Sequence, residues 1–306
     1  MDKAAAPHVS LSHLDELWFQ VGGTRCNLTC SHCFISCSPH NKSFGFLSLA
    51  TVDSYLQEAS KLGVREFYFT GGEPFLNVEM VSILKRTLEF GPATVLTNGT
   101  VLRKEWLKEL AEAESRSGYS LEFRVSIDGP TAESNDPIRG EGSFRRIVEG
   151  LRLLIDAGFL PILTATRVWK DEVHAATVEQ FRNLLLSIGC RQPRIKILPT
   201  LQLGAEATRT QGYSPSARLS VEDLEGFDTR QLVCEHARIV TDRGVYVCPL
   251  LIESPSAHLG KTLSNSLGDA VLSEGACTTC YQYGALCANP SSSLGQKGIA
   301  DGGTAS

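Results

Sequence analysis

Between Leu17 and Leu201 the hydrophobic period of the chain switches back and forth. Six short runs (Leu17–Val21, Val64–Thr70, Ala93–Thr97, Ser120–Ile127, Leu160–Val168 and Ile195–Leu201) are apolar or rich in β-branched and aromatic residues, and read as strands. Between them lie segments with apolar residues at helical spacing: Ser48–Leu62, Val78–Phe90, Leu102–Ser115, Phe144–Ala157 and Asp171–Ile188. Strands separated by helices pair in parallel, each helix crossing back over the sheet. The expected fold class is therefore α/β. Six βα units rather than eight suggest an incomplete barrel, open on one side to admit a substrate; the count alone does not decide between this and other α/β folds. In such sheets the chemistry is done at the carboxyl ends of the strands.

The strand ends carry unusual residues. The first strand breaks at Gly22-Gly23 and exits into Cys26, Cys30 and Cys33, spaced C-x3-C-x2-C. Clustered thiolates are soft ligands that suit iron–sulfur clusters or zinc. Three protein ligands leave one metal position open, the mark of a metal that handles substrate. His32 is cramped between its neighbours as a fourth ligand, whereas Cys37 is the candidate fourth ligand of a zinc site. The second strand runs into Gly71-Gly72-Glu73-Pro74, where the glycines permit close backbone approach to a ligand. The third ends in Asn98-Gly99-Thr100. The fourth ends in Ser126-Ile127-Asp128-Gly129-Pro130 and is followed by Asp136 and Arg139, whose guanidinium fork suits a carboxylate.

A second cysteine group follows the barrel: Cys234, Cys248, Cys277, Cys280 and Cys287. Arg238–Cys248 reads as a β-hairpin turning at Asp242-Arg243-Gly244, which brings Cys234 and Cys248 together. A C-x-x-C turn then adds Cys277 and Cys280. Such a cage holds an iron–sulfur cube or a structural zinc. Cys190 stands alone and reads as a small buried apolar residue.

The expected organisation is a lead-in over 1–16, the barrel over 17–201, a linker over 202–230 with one short helix near Ser220–Gly226, a cluster domain over 231–288 and a disordered tail over 289–306. A net charge of −5 argues against nucleic acid as the main partner. The chain has no apolar run of membrane-spanning length and no signal-peptide core at its N-terminus, so the expectation is a cytoplasmic protein. In that setting ten cysteines are better read as metal ligands than as disulfides.

The C-x3-C-x2-C spacing, the GGEP loop, the TNG turn and the run from Ser126 to Arg139 together resemble the radical S-adenosylmethionine (SAM) enzymes. The resemblance, rather than the count of units, implies the partial (β/α)6 TIM-like barrel. It implies that Cys26, Cys30 and Cys33 hold a [4Fe-4S] cluster whose open iron chelates SAM. It also implies that Gly71, Gly72, Glu73, Pro74, Asn98, Ser126, Asp128 and Arg139 bind that cofactor. An electron then cleaves SAM to methionine and a 5′-deoxyadenosyl radical, which takes a hydrogen atom from the substrate. The C-terminal cysteines resemble the SPASM or shorter twitch extension of that family, the twitch form fitting better because five cysteines stand here rather than seven. This implies an auxiliary [4Fe-4S] cluster on Cys234, Cys248, Cys277 and Cys280, with Cys287 spare. The spacing departs from the family in having three residues rather than four between Gly244 and Cys248.

The implied activity is a radical SAM oxidoreductase or maturase, with flavodoxin or ferredoxin as electron donor and a small molecule or peptide as substrate. The alternatives are a maturase of peptides or proteins, and a non-catalytic zinc or iron–sulfur binding module. Peptide-modifying members carry a recognition domain before the barrel, which here is expected on a separate protein. The Gly302-Gly303 pair is a weak match to the catalytic tail of the molybdenum-cofactor member. As general acid or base, Cys37, His236 and Asp242 are candidates, each more readily structural.

Overall fold

A computed structural model describes residues 6–284 of the chain. Its elements are β1 (His8–Val9), β2 (Glu16–Phe19), α1 (Leu49–Leu62), β3 (Glu66–Phe69), α2 (Met80–Thr87), β4 (Ala93–Thr97), α3 (Lys104–Arg116), β5 (Leu121–Ser126), α4 (Ala132–Arg139), α5 (Ser143–Asp156), β6 (Ile162–Thr166), α6 (His174–Ser187), β7 (Arg194–Leu198), α7 (Gly204–Thr210), β8 (Ala237–Thr241), β9 (Gly244–Tyr246), β10 (His258–Gly260), β11 (Ala270–Val271) and α8 (Gly275–Tyr283). The main sheet runs β10-β9-β8-β2-β3-β4-β5-β6-β7. From β8 through β7 every neighbouring pair is parallel. Among the described residues no ladder joins β7 back to the other edge, so the sheet is open.

Alternation along the strands sorts the core. In β2 and β3, Leu17, Phe19, Phe67 and Phe69 face the helices, where Leu56, Ile83 and Leu84 cover them. Trp18 and Tyr68 point the other way and stack at 4.3 Å, since the register places them opposite one another. The helix ends follow their sequence signals. Ser48 Oγ accepts the N–H of Thr51 at the start of α1, and Gly63, at φ 80°, ends it.

The structure departs from the sequence reading in four places. β8 and β9 form the expected hairpin, but β8 also pairs in parallel with β2, so the hairpin continues the barrel sheet. Cys277 and Cys280 lie on a helix, α8, rather than in a turn. The segment read as a linker contains α7, whose start docks on the first cysteine loop: Ala205 N–H donates to Cys33 O at 2.9 Å. The lead-in is tied down as well, because β1 pairs with β11. Among the described residues no helix is long and apolar enough to cross a membrane. Cys287, the 289–306 segment and Gly302-Gly303 lie outside the described residues.

Candidate metal centre and cofactor site

The first cysteine loop is fixed from both sides. Gly22 N–H donates to Thr70 O, Cys26 N–H to Ser38 O and Gly72 N–H to Gly23 O. Glu73 N–H donates to Arg25 O at 2.9 Å. The glycines of the GGEP loop serve this seam. A Cβ on Gly72 would lie 2.0 Å from Arg25 O, and one on Gly71 2.6 Å from the Gly22 backbone. The close approach they permit is therefore first to the cysteine loop itself.

Glu73 is fully buried, and its carboxylate is engaged inside the protein. It accepts Thr97 Oγ1–H and Asn98 N–H, both at 2.7 Å, and Phe75 N–H at 3.1 Å. Burial pushes its pKa up to about 6 against the pull of these donors. Glu73 thus ties the loop after β3 to the turn after β4. That turn reaches the cysteines: Asn98 Nδ2 donates to Asn27 Oδ1 at 3.0 Å and to Cys26 Sγ at 3.6 Å. Pro74 is buried and opens a short 3-10 turn over Pro74–Leu76.

Cys26, Cys30 and Cys33 face one another closely enough that each thiolate disfavours its neighbour. Burial pushes Cys26 up to about 12 and Cys30 up to about 11. Only Cys33 falls, to about 6, through its hydrogen bond with the Cys37 thiol. The same bond, with burial, pushes the Cys37 thiol up. Backbone N–H groups are aimed at two of the sulfurs, Leu28 at Cys26 Sγ (3.4 Å) and Cys37 at Cys33 Sγ (3.3 Å). Buried thiols that repel as anions, yet receive N–H donors, fit a site completed by a cation.

Asp128 lies two residues beyond the end of β5 and Arg139 ends α4, a helix that the sequence pattern does not reveal. Arg139 Nε and Asp128 Oδ2 are 2.6 Å apart, and His32 Nε2 lies 2.7 Å from the same oxygen. Burial alone would raise Asp128, but Arg139 and His32 hold it well below the usual carboxylate range. Asp128 Oδ1 also accepts Thr166 N–H at 2.7 Å, clamping β5 to β6. Arg139 faces Cys30 and Cys33. Half-buried Ser126 stands at the end of β5 beside Thr164 of β6. His32 is thus not a crowded bystander but the link from the cysteine loop to Asp128, which its place inside the motif did not reveal.

Behind this loop lies a cavity of about 120 Å³, with Trp18, His32, Arg124, Thr164, Lys196 and Pro249 in its wall. One residue earlier in the chain, Cys248 lines a second, much smaller cavity of about 20 Å³. Cys234, Cys277 and Cys280 line it too, among apolar Leu232, Val247, Leu250 and Leu272. All four thiols are buried, and each is disfavoured as an anion by the others or by burial. Among the described residues no three His, Cys, Asp or Glu side chains converge on a point that could hold a single ion. A zinc ion draws its sulfurs to within about 2.3 Å of itself, whereas a cube keeps its ligands further apart around a larger body.

The remaining acid–base candidates are structural. Asp242 Oδ2 accepts Gly45 N–H at 2.8 Å. His236 sits between Glu16 and Glu235, at the opposite end of β2 from the cysteines. Cys190 is buried in the helix-side core.

The radical SAM superfamily profile matches residues 21–181. The chain belongs to that superfamily. Membership implies the [4Fe-4S] cluster and SAM, and the donor set just described fits both. Among curated proteins the chain is 33% identical over 139 residues to the antilisterial bacteriocin subtilosin biosynthesis protein AlbA of Bacillus subtilis, covering 44% of this chain and 29% of AlbA. It is 32% identical to an AdoMet-dependent heme synthase of Methanosarcina barkeri over 50% of this chain and 42% of that protein. It is 28% identical to the mycofactocin maturase MftC of Mycobacterium tuberculosis over 57% of this chain and 43% of MftC. The matched segment therefore spans less than half of each of these relatives. Two solved structures share the fold. SuiB of Streptococcus suis bound to S-adenosylmethionine superposes with a TM-score of 0.60 at 14% identity, covering 80% of this chain and 63% of SuiB. AdoMet-bound anSMEcpe gives a TM-score of 0.60 at 17% identity, covering 82% of this chain and 76% of that one.

Proposed function

We propose that this chain is a radical SAM maturase that oxidises a side chain of a peptide, using a second, auxiliary cluster as electron acceptor. The observation that carries this reading is the second thiol group. Four buried cysteines surround one apolar cavity, and the residue after Cys248 lines the barrel cavity. A cube held by all four would have no open iron for substrate, which favours electron transfer over substrate binding. The reading draws its substrate class from AlbA and MftC, whose names mark them as a bacteriocin biosynthesis protein and a maturase. This arrangement is what a twitch-type extension would supply.

When bound, the first cluster and SAM supply the 5′-deoxyadenosyl radical that abstracts hydrogen, after one electron from a flavodoxin- or ferredoxin-type donor. The chain's own residues prepare the place. Cys26, Cys30 and Cys33 would ligate the cluster. Gly71, Gly72 and Pro74 would turn backbone toward the amino group of SAM while Glu73 braces them. Asn98, Ser126, Asp128 and Arg139 would contact the rest of the cofactor, Arg139 being the cation placed to meet its carboxylate. The barrel wall would exclude water around the target carbon.

The test is an iron count on anaerobically reconstituted protein beside a Cys26/Cys30/Cys33→Ala variant. About eight irons falling to about four supports two cubes. About four falling to none removes the auxiliary centre from the proposal. Formation of 5′-deoxyadenosine under a low-potential reductant, lost in the triple variant, tests SAM cleavage separately.

A further inference from the structure

β8 is an apolar strand with one cation in it. Arg238 is fully buried, among the largest side chains with no exposed surface. Its guanidinium is held by four carbonyls: Nε donates to Ser266 O (2.8 Å), Nη1 to Cys234 O (2.7 Å) and Ala237 O (2.8 Å), and Nη2 to Gly268 O (2.7 Å). Carbonyl dipoles solvate a charge but do not neutralise it. Among the described residues no carboxylate forms an ion pair with Arg238, and Asp269, the acidic group that acts on it, is exposed. A buried guanidinium without a counter-ion is expensive, so it needs an anion nearby. The bond from Nη1 to Cys234 O holds the guanidinium beside the second thiol group, where the Cys234 and Cys248 thiolates, with exposed Asp269, favour its charge. With four thiolates on a [4Fe-4S] core the centre is a net anion and the two charges offset.

We infer that Arg238 is the built-in counter-charge of the auxiliary centre and sets its reduction potential. This rests on reading the second thiol group as a cluster. A fixed cation in a low-dielectric interior favours the reduced, more negative state of a neighbouring centre, so it raises that centre's potential. The direction suits an electron acceptor. Arg238 is a positioning residue here. It touches no reacting atom, and through the Cys234 carbonyl it also fixes the backbone of one ligand.

The experiment is an EPR-monitored redox titration of the full-length Cys26/Cys30/Cys33→Ala protein, reconstituted so that only the second centre reports. Arg238→Gln should lower the midpoint enough to change the reduced-to-oxidised ratio at fixed poise by about tenfold, ~59 mV for one electron. Arg238→Lys, which keeps the charge, should stay near the parent. Because Arg238→Gln also orphans four carbonyls, a second pair keeps the test alive if it fails to fold. Gly268 is exposed and a Cβ there meets nothing within 4 Å, so Gly268→Glu can bring a carboxylate to the guanidinium with every carbonyl bond intact. Gly268→Glu should lower the midpoint and Gly268→Gln should not. Parent-like midpoints in every variant that folds overturn the counter-charge role while leaving the cluster in place. Absence of iron from the parent triple variant overturns the auxiliary centre itself, and the inference with it.

Discussion

Glu16 offers a measurement in which burial and charge pull in opposite directions. It sits at the start of β2 with its side chain 8% exposed. Trp18 Nε1–H donates to it at 3.3 Å. Burial pushes its pKa from 4.5 up to about 7, with Glu66 adding to the push while Trp18, Arg124 and Lys196 oppose it. Because the folded value lies above the unfolded one, the fold favours the protonated acid. That stabilisation is fully present below pH 4.5 and is lost as pH rises through about 7. At about 1.4 kcal/mol per pH unit the whole effect is about 3 kcal/mol, of which about 2 kcal/mol falls between about pH 5.5 and pH 8.5. Glu16→Gln cannot ionise and removes that slope. The assay is urea unfolding of anaerobic holoprotein, wild type and variant, at both pH values. Comparing the two proteins cancels the titrating groups remote from Glu16, including the cluster thiols, and leaves only its neighbours such as His236, 3.7 Å away. With a urea slope above about 3 kcal/mol/M for a chain of this size, the variant should gain roughly 0.6 M in midpoint over wild type on going to the higher pH. Parallel behaviour of the two proteins would show that Glu16 is already ionised at the lower pH. Arg124 and Lys196 would then outweigh burial, and the reasoning would be wrong.

The other predictions concern the cofactor end of the sheet. Gly72→Ala drives a Cβ to 2.0 Å from Arg25 O, so the first cysteine loop must shift; the protein should fold yet lose the iron held on that loop, read as iron per chain. Glu73→Gln sets an amide N–H against one of three donors and should lower the unfolding free energy by about 3 kcal/mol; a wild-type urea midpoint with weakened SAM binding would instead make the carboxylate a cofactor contact. Asp128→Asn leaves Arg139 buried beside a neutral partner and should destabilise by about 3–5 kcal/mol, with an unchanged midpoint refuting the buried-pair reading.

The alternation of periods was enough to expose all six βα strands, because each helical stretch is amphipathic and each strand is short and apolar. β4 matches its expected bounds, and the others differ by one to three residues at an end. The cysteines of both groups were legible for a different reason: metal chemistry needs thiols at restricted spacings, and the first spacing lies at a strand exit. Other features left no periodic trace. α4 contains Pro137 and a mostly polar sequence, and it forms because Asp136 caps the following turn, accepting Gly142 N–H and Phe144 N–H. α7 is a single short helix in a polar stretch, held by docking against Cys33 and Phe34 rather than by its own pattern. The structural role of Glu73 was hidden because GGEP looks the same whether its acid faces a ligand or the interior.

The parallel ladder between β2 and β8 explains why the two thiol groups belong to one machine. β2 delivers Cys26, Cys30 and Cys33 at its exit, and β8 lies beside it in register from Glu16↔Ala237 to Phe19↔Val240. Cys234 precedes β8 and Cys248 follows β9, so the cysteines of the second group are anchored to the strand that positions the first. The hairpin turn then grips the first loop directly. Asp242 accepts Gly45 N–H, and the Arg243 guanidinium lies 4.3 Å from the centroid of the Phe44 ring. A detached cluster domain could drift relative to the barrel and change any electron-transfer distance. A hairpin hydrogen-bonded into the barrel sheet cannot do so without breaking the β2–β8 ladder, and so the spacing of the two thiol groups is a property of the fold.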